Sequence, residues 1–185
     1  MTGIPKHPQI EFDNLTPTLF VDYDHTLHRG QGYVDTSSGE ISLDTGNEPF
    51  EFAPILEQLL APYPRVEIVL TTSWLTSIPL ERAAAYMPAS LAARVVGSTH
   101  GYKVPFGYIQ NGSARTYVIR SYVLERRLRD WLAIDDAVYG ATNLTSDVLP
   151  IEPHLVLLDA QQGLGDAAAQ QRVQDWLRGL DGSVA

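Results

Sequence analysis

The chain has 185 residues, no cysteine, 44% apolar and 19% charged residues, and a formal net charge of −9. This is a globular composition, long enough to bury a large core without staples; it excludes thiol nucleophiles, zinc–thiolate sites and disulfides. A nucleic-acid partner stays open but is disfavoured by net charge, the apolar runs are too short to span a membrane, and the missing cysteines fit a cytoplasmic setting.

The opening stretch "MTGIPKHPQIEFDN" shows no basic-then-apolar pattern and reads as a loose arm, residues 1–17, ahead of a single domain over residues 18–185. Thr18–Asp22 is a short apolar strand. Between Gly30 and Phe52, "YVDTSSGEISLD" holds two alternating stretches around Ser-Ser-Gly and predicts a hairpin. Ala53–Ala61 places Ile55, Leu56, Leu59 and Leu60 on one helical stripe before Pro62 and Pro64 end it. Val66–Leu70 is a second buried strand. Ser77 caps a predicted helix with Pro79 in its first turn; Pro88 breaks it, and Ser90–Arg94 adds a last turn. Arg94–Gly97 is a third strand, and Gly97–Ser113 reads as the longest loop. Thr116–Trp131 predicts an amphipathic helix with Val118, Tyr122 and Val123 on its apolar side. "WLAIDD" is a fourth strand and His154–Asp159 a fifth. Asp166 caps a final helix, Ala167–Leu180, whose stripe is Val173, Trp176, Leu177 and Leu180, with Gly182 just past its end.

Strands alternating with helices predict an α/β fold with a parallel sheet. Sites in such sheets form beyond the carboxyl ends of the strands. There the chain places Asp22-Tyr23-Asp24, Thr71-Thr72-Ser73-Trp74 and Asp135-Asp136. Adjacent carboxylates raise each other's pKa, and a hard divalent cation relieves that conflict; magnesium takes oxygen ligands, usually one or two carboxylates plus water and substrate phosphate. The residues therefore predict a magnesium site built from the first and fourth strand ends, with hydroxyls from the second and some cation holding an anionic substrate.

"FVDYDHTL", "IVLTTSW" and "AIDD", in this order, resemble the motifs of the haloacid dehalogenase-like (HAD) phosphohydrolase superfamily, from about Thr18 to Asp159. The pattern "TSW…VVGST…R…IDD…LVLLDAQQGL" further resembles a small HAD group associated with RNA-repair proteins. The resemblance implies a three-layer Rossmann-like HAD fold with about five parallel strands, and a Mg2+-dependent phosphomonoesterase acting through an aspartyl-phosphate. It implies that Asp22 is the nucleophile and Asp24 the general acid/base, whose backbone carbonyl also binds magnesium. Dehalogenase members lack this second acid. Thr72, or Thr71 in its place, binds the transferring phosphoryl group; Asp135 binds the metal, with Asp136 as a direct or supporting ligand. The basic residue is Arg115 at the start of the helix before the fourth strand, or Lys103 in the loop ahead of it.

His25 stands where many members of that superfamily have glycine, and is expected to point away from the site. His28 and His100 read as structural or exposed, Trp74 as core rather than a stacking platform, and Asp159 as part of a loop beside the site. The gaps between motifs leave room for a small hairpin flap but no full cap domain, so the site should be open and suit bulky or polymeric substrates. A nucleic-acid end-processing phosphatase, a phosphotransferase and a non-catalytic HAD-fold module are the alternatives.

Overall fold

The computed structural model describes residues 11–140 and 151–181. The strands are β1 (Thr18–Val21), β2 (Gly32–Val34), β3 (Ile41–Leu43), β4 (Glu67–Leu70), β5 (Val95–Ser98), β6 (Trp131–Asp135) and β7 (Leu155–Leu157). Five of them form one parallel sheet in the order β5-β4-β1-β6-β7, while β2 and β3 pair as a separate antiparallel hairpin. The helices are α1 (Ala53–Leu60), α2 (Leu80–Ala84), α3 (Ala89–Ala92), α4 (Phe106–Gln110), α5 (Ala114–Arg126) and α6 (Ala167–Asp181).

Side-chain alternation along the strands builds two cores, one on each face of the sheet. Leu19, Val21, Ile68, Leu70, Leu132 and Ile134 pack against α1, α2, α3 and α6 through Leu56, Leu60, Ala83, Leu91, Val173 and Leu177. Their alternates Phe20, Val69, Trp131 and Ala133 pack on the other face against Ile119, Tyr122 and Val123 of α5. The result is the predicted three-layer α/β architecture with its small hairpin. Among the described residues the insertions amount to that hairpin, short helices and loops, and none forms a cap domain. No helix among them is long and apolar enough to cross a membrane.

Several boundaries differ from the sequence reading. The helix predicted over Thr116–Trp131 is Ala114–Arg126, because Arg127 turns left-handed (φ 53°) and Trp131 begins β6 as a buried strand residue. Ile119, rather than Val118, is the residue α5 buries with Tyr122 and Val123. Ser77 does not cap a helix; Thr72 accepts the Trp74 backbone N–H at the head of a 3-10 turn, Ser73–Thr76, and α2 starts after Pro79. The region read as a loop contains α4, and β7 ends at Leu157, short of Asp159. Part of the predicted arm is tied down: Asn14 bridges to the turn before β6, donating to the Arg127 carbonyl and accepting from the Arg129 N–H. The rest of the arm before residue 11, and Gly182, lie outside the described residues.

The burial pattern of α1 gives a direct check. Leu56→Ala should lower unfolding free energy by about 2–5 kcal/mol, whereas Gln58→Ala on the exposed side should change it by less than about 0.5 kcal/mol in urea denaturation.

Candidate active site

Register brings the polar strand ends together. Val21 of β1 pairs with Leu70 of β4 and Ile134 of β6, so the next residues, Asp22, Thr71 and Asp135, stand level at one edge of the sheet. The backbone continues the ladder one step further: Thr71 N–H donates to the Val21 carbonyl (2.9 Å) and Asp22 N–H to the Ile134 carbonyl (3.3 Å). All three side chains are buried.

Asp22, Asp135 and Asp136 offer carboxylate oxygens within 4.8 Å of one another. Asp135 is well supported: Oδ1 accepts the Ala137 N–H (2.8 Å), and Oδ2 accepts the Thr71 hydroxyl (3.0 Å) and lies 3.3 Å from Arg115 Nε. Asp22 is not. Its Oδ2 lies 3.5 Å from Arg115 Nη2, and its buried Oδ1 has no hydrogen-bond partner among the described residues. A buried carboxylate oxygen without a partner is unfavourable unless something absent from the chain satisfies it. Burial pushes the Asp22 carboxyl well above the usual range, Asp135 nearby pushes the same way, and Arg115 pulls it back. Burial also raises Asp135, against Arg115, the Ala137 N–H and the Thr71 hydroxyl. It raises Asp136 as well, opposed by His25 and Arg115. Three crowded carboxylates and one orphaned oxygen fit a hard divalent cation, so these are the residues that would hold magnesium.

Arg115 is the second residue of α5, where the helix N-terminus adds positive potential. Its guanidinium spans Asp22 and Asp135. Lys103 is exposed and makes no ion pair with these carboxylates among the described residues.

Asp24 lies outside the carboxylate cluster and has a different environment. Its Oδ1 accepts three donors: the Gly32 backbone N–H (2.7 Å), the Trp74 indole Nε1–H (3.0 Å) and His28 Nε2 (3.2 Å). The Phe50 N–H points at His28 Nδ1 (3.4 Å), which leaves the imidazole proton on Nε2, facing Asp24. His28 and Gly32 were not legible as site residues. His28 is fully buried, and Gly32 reaches Asp24 from the hairpin. Gly32 also admits no side chain, because an added Cβ would come within 2.2 Å of the Trp74 ring. The early Gly in the hairpin was the only available signal. Trp74 is core as expected, 5% exposed, and also a hydrogen-bond donor to Asp24.

His25 does not point away. Its φ of 55° is left-handed, the conformation for which glycine is the easiest residue. Its Nδ1 lies 3.1 Å from the Ala160 carbonyl, tying the β1 loop to the loop after β7, and its ring acts on Asp136. Asp159 itself is exposed and accepts the Gln161 N–H, shaping that loop. His100 is exposed.

The family described as the HAD domain in Swiss Army Knife RNA repair proteins matches residues 18–169. No curated protein and no solved structure matches the chain.

The raised Asp22 pKa fixes the sign of a pH effect. Between about pH 3.8 and the raised value, the folded metal-free protein binds more protons than the unfolded chain, so this group's contribution to stability falls as pH rises. Asp22→Asn removes that penalty. In chelator, the variant should melt above the wild type at neutral pH, with the gain shrinking as pH falls through this window. A thermal-melt pH series that shows no gain, or one growing toward acid, would contradict the assignment.

Proposed function

We propose that this chain, which belongs to the family of HAD domains in Swiss Army Knife RNA repair proteins, is a magnesium-dependent phosphomonoester hydrolase working through an aspartyl-phosphate on Asp22. The observation that carries the reading is the buried Oδ1 of Asp22, which has no partner among the described residues, beside Asp135, Asp136 and Arg115. Magnesium held by Asp22, Asp135, Asp136 and the Asp24 backbone carbonyl would supply positive charge to the phosphoryl oxygens.

The chain's own residues do the rest. Arg115 leans from two carboxylates toward the arriving phosphoryl group and grips its oxygens. The Thr71 hydroxyl proton is already given to Asp135, so Thr71 orients that carboxylate. Thr72 accepts from Trp74, which leaves its own O–H free to donate to the phosphoryl group. An Asp22 oxygen forms a bond to phosphorus as the bond to the leaving oxygen breaks, and Asp24 gives that oxygen a proton. Asp24 then takes a proton from water as it attacks phosphorus, releasing phosphate and restoring the Asp22 carboxylate. A cytoplasmic setting is part of this proposal, supported by the lack of cysteine in the sequence.

A second reading, a phosphatase for nucleic-acid ends, has support of its own. The family's description refers to RNA repair. Tyr33, next to Gly32, and Tyr139, whose carbonyl accepts the Thr116 hydroxyl beside Arg115, are both about half exposed. Exposed aromatic rings offer stacking platforms for unpaired bases, each worth about 1–3 kcal/mol.

Two measurements test these readings. Asp22→Asn should reduce magnesium-dependent hydrolysis of an aryl phosphate to background, and Asp24→Asn should lower hydrolysis of an alkyl phosphate by about 10²–10⁴-fold; wild-type rates in Asp22→Asn would remove the nucleophile. If the substrate is a nucleic-acid end, 3′- or 5′-phosphorylated oligonucleotides should be better substrates than mononucleotides by about tenfold or more, and Tyr33→Ala with Tyr139→Ala should erase the difference. Equal kcat/KM on both would restrict the enzyme to small esters.

A further inference from the structure

We propose that His28, Trp74 and Gly32 form a positioning clamp that fixes Asp24 through one oxygen and leaves the other as the sole oxygen that moves the proton. The clamp rests on the phosphohydrolase reading for its catalytic meaning, but its geometry stands independently.

A carboxylate has about two acceptor sites per oxygen, and Oδ1 of Asp24 meets three N–H donors. A proton on Oδ1 would face those three donors, so the acid form of Asp24 must carry its proton on Oδ2. The donors come from three separate segments: the loop after β1, the hairpin, and the 3-10 turn after β4. Each is locked. The Trp74 ring sits edge-on between Tyr23 (5.2 Å), Phe50 (5.8 Å) and Tyr86 (5.8 Å). Tyr23 in turn donates its hydroxyl to the Ala83 carbonyl (2.9 Å). His28 is held by the Phe50 N–H and packs edge-to-face on the Phe50 ring (5.3 Å).

The hairpin is fastened at both ends. At its base the Gly32 N–H bonds Asp24, and the absence of a Cβ lets the strand lie against Trp74. At its tip the Tyr86 hydroxyl donates to the Gly39 carbonyl (2.9 Å), and Arg82 reaches the Thr36 carbonyl (3.5 Å). Tyr86 thus touches both Trp74 and the hairpin tip. Fastened this way, the hairpin works as a fixed wall of the site that aims the acid, not as a gate that opens on each turnover. His28, Trp74 and Gly32 do not touch the phosphoryl group; they act through Asp24.

The test exploits leaving groups. An alkoxide needs a proton to depart and a nitrophenolate does not, so a misaimed acid shows itself only with the poor leaving group. Trp74→Phe, which keeps an aromatic ring but no N–H, and His28→Leu should each lower kcat/KM for an alkyl phosphate by about 10–100-fold. The same variants should stay within about threefold of wild type on nitrophenyl phosphate, because kcat/KM reports phosphoryl transfer to Asp22. His28→Gln, whose amide restores a donor near the Nε2 position, should recover most of the alkyl phosphate activity. Equal losses on both esters, no loss on either, or failure of His28→Gln to rescue would overturn the clamp.

A measurement free of turnover separates the clamp from the activity. The Trp74 indole and Gly32 amide protons should exchange slowly with solvent in wild type and faster in Asp24→Ala. Unchanged exchange would overturn the clamp even in an active enzyme. An exchange response in a protein that hydrolyses no phosphate ester would keep the clamp and overturn the phosphohydrolase reading alone.

Discussion

Carboxylates at the ends of neighbouring parallel strands repel one another, and more strongly where burial strips away the water that would screen them. Here the register of β1 against β6 sets Asp22 level with Asp135, and Asp136 follows at once. The fold creates this conflict and then partly answers it. Arg115 arrives on the first turn of α5 and spans two of the acids, Thr71 gives Asp135 a proton to accept, and the Ala137 N–H takes its other oxygen. Among the described residues, what stays unanswered is one oxygen of Asp22. In the proposed function a small hard cation fills that gap, and the phosphoryl group binds beside it.

Asp22 and Asp24 lie two residues apart yet meet opposite environments. Asp22 faces other acids and one cation across the strand ends, whereas Asp24 turns into a pocket of donors built from aromatic core. The turn that follows Asp24 runs through His25, held left-handed and pinned to the loop after β7. That loop is itself tied back, since Leu164 N–H donates to the Thr26 carbonyl (2.9 Å). Two carboxylates only two residues apart thus meet different partners, because β1 ends at Val21 and the backbone turns just beyond it.

The sheet and the acidic strand ends were legible because both are local. Apolar runs of four or five residues followed at once by Asp or Thr mark strand and site together, as in "TLFVDYD" and "AIDD". Arg115 was a candidate, with Lys103, only through the family resemblance, and its standing beside Asp22 and Asp135 is a tertiary fact. His28 and Gly32 were missed for the same reason. Their partners Asp24 and Trp74 are reached only after the hairpin folds back, and no local periodicity encodes that contact. The end of α5 was misjudged because its left-handed stop falls on Arg127, where a glycine would have announced it. His25 escaped for the converse reason: a side chain that rarely takes this conformation occupies a turn that requires it.

The central claim is that Asp22 itself bonds to phosphorus. It is tested by quenching the enzyme in acid during turnover and weighing the peptide that contains Asp22. That peptide should carry one added phosphoryl group in wild type and none in Asp22→Asn. A phosphorylated peptide that maps elsewhere, or burst-free turnover with no adduct under conditions where hydrolysis of the intermediate limits the rate, would contradict the account.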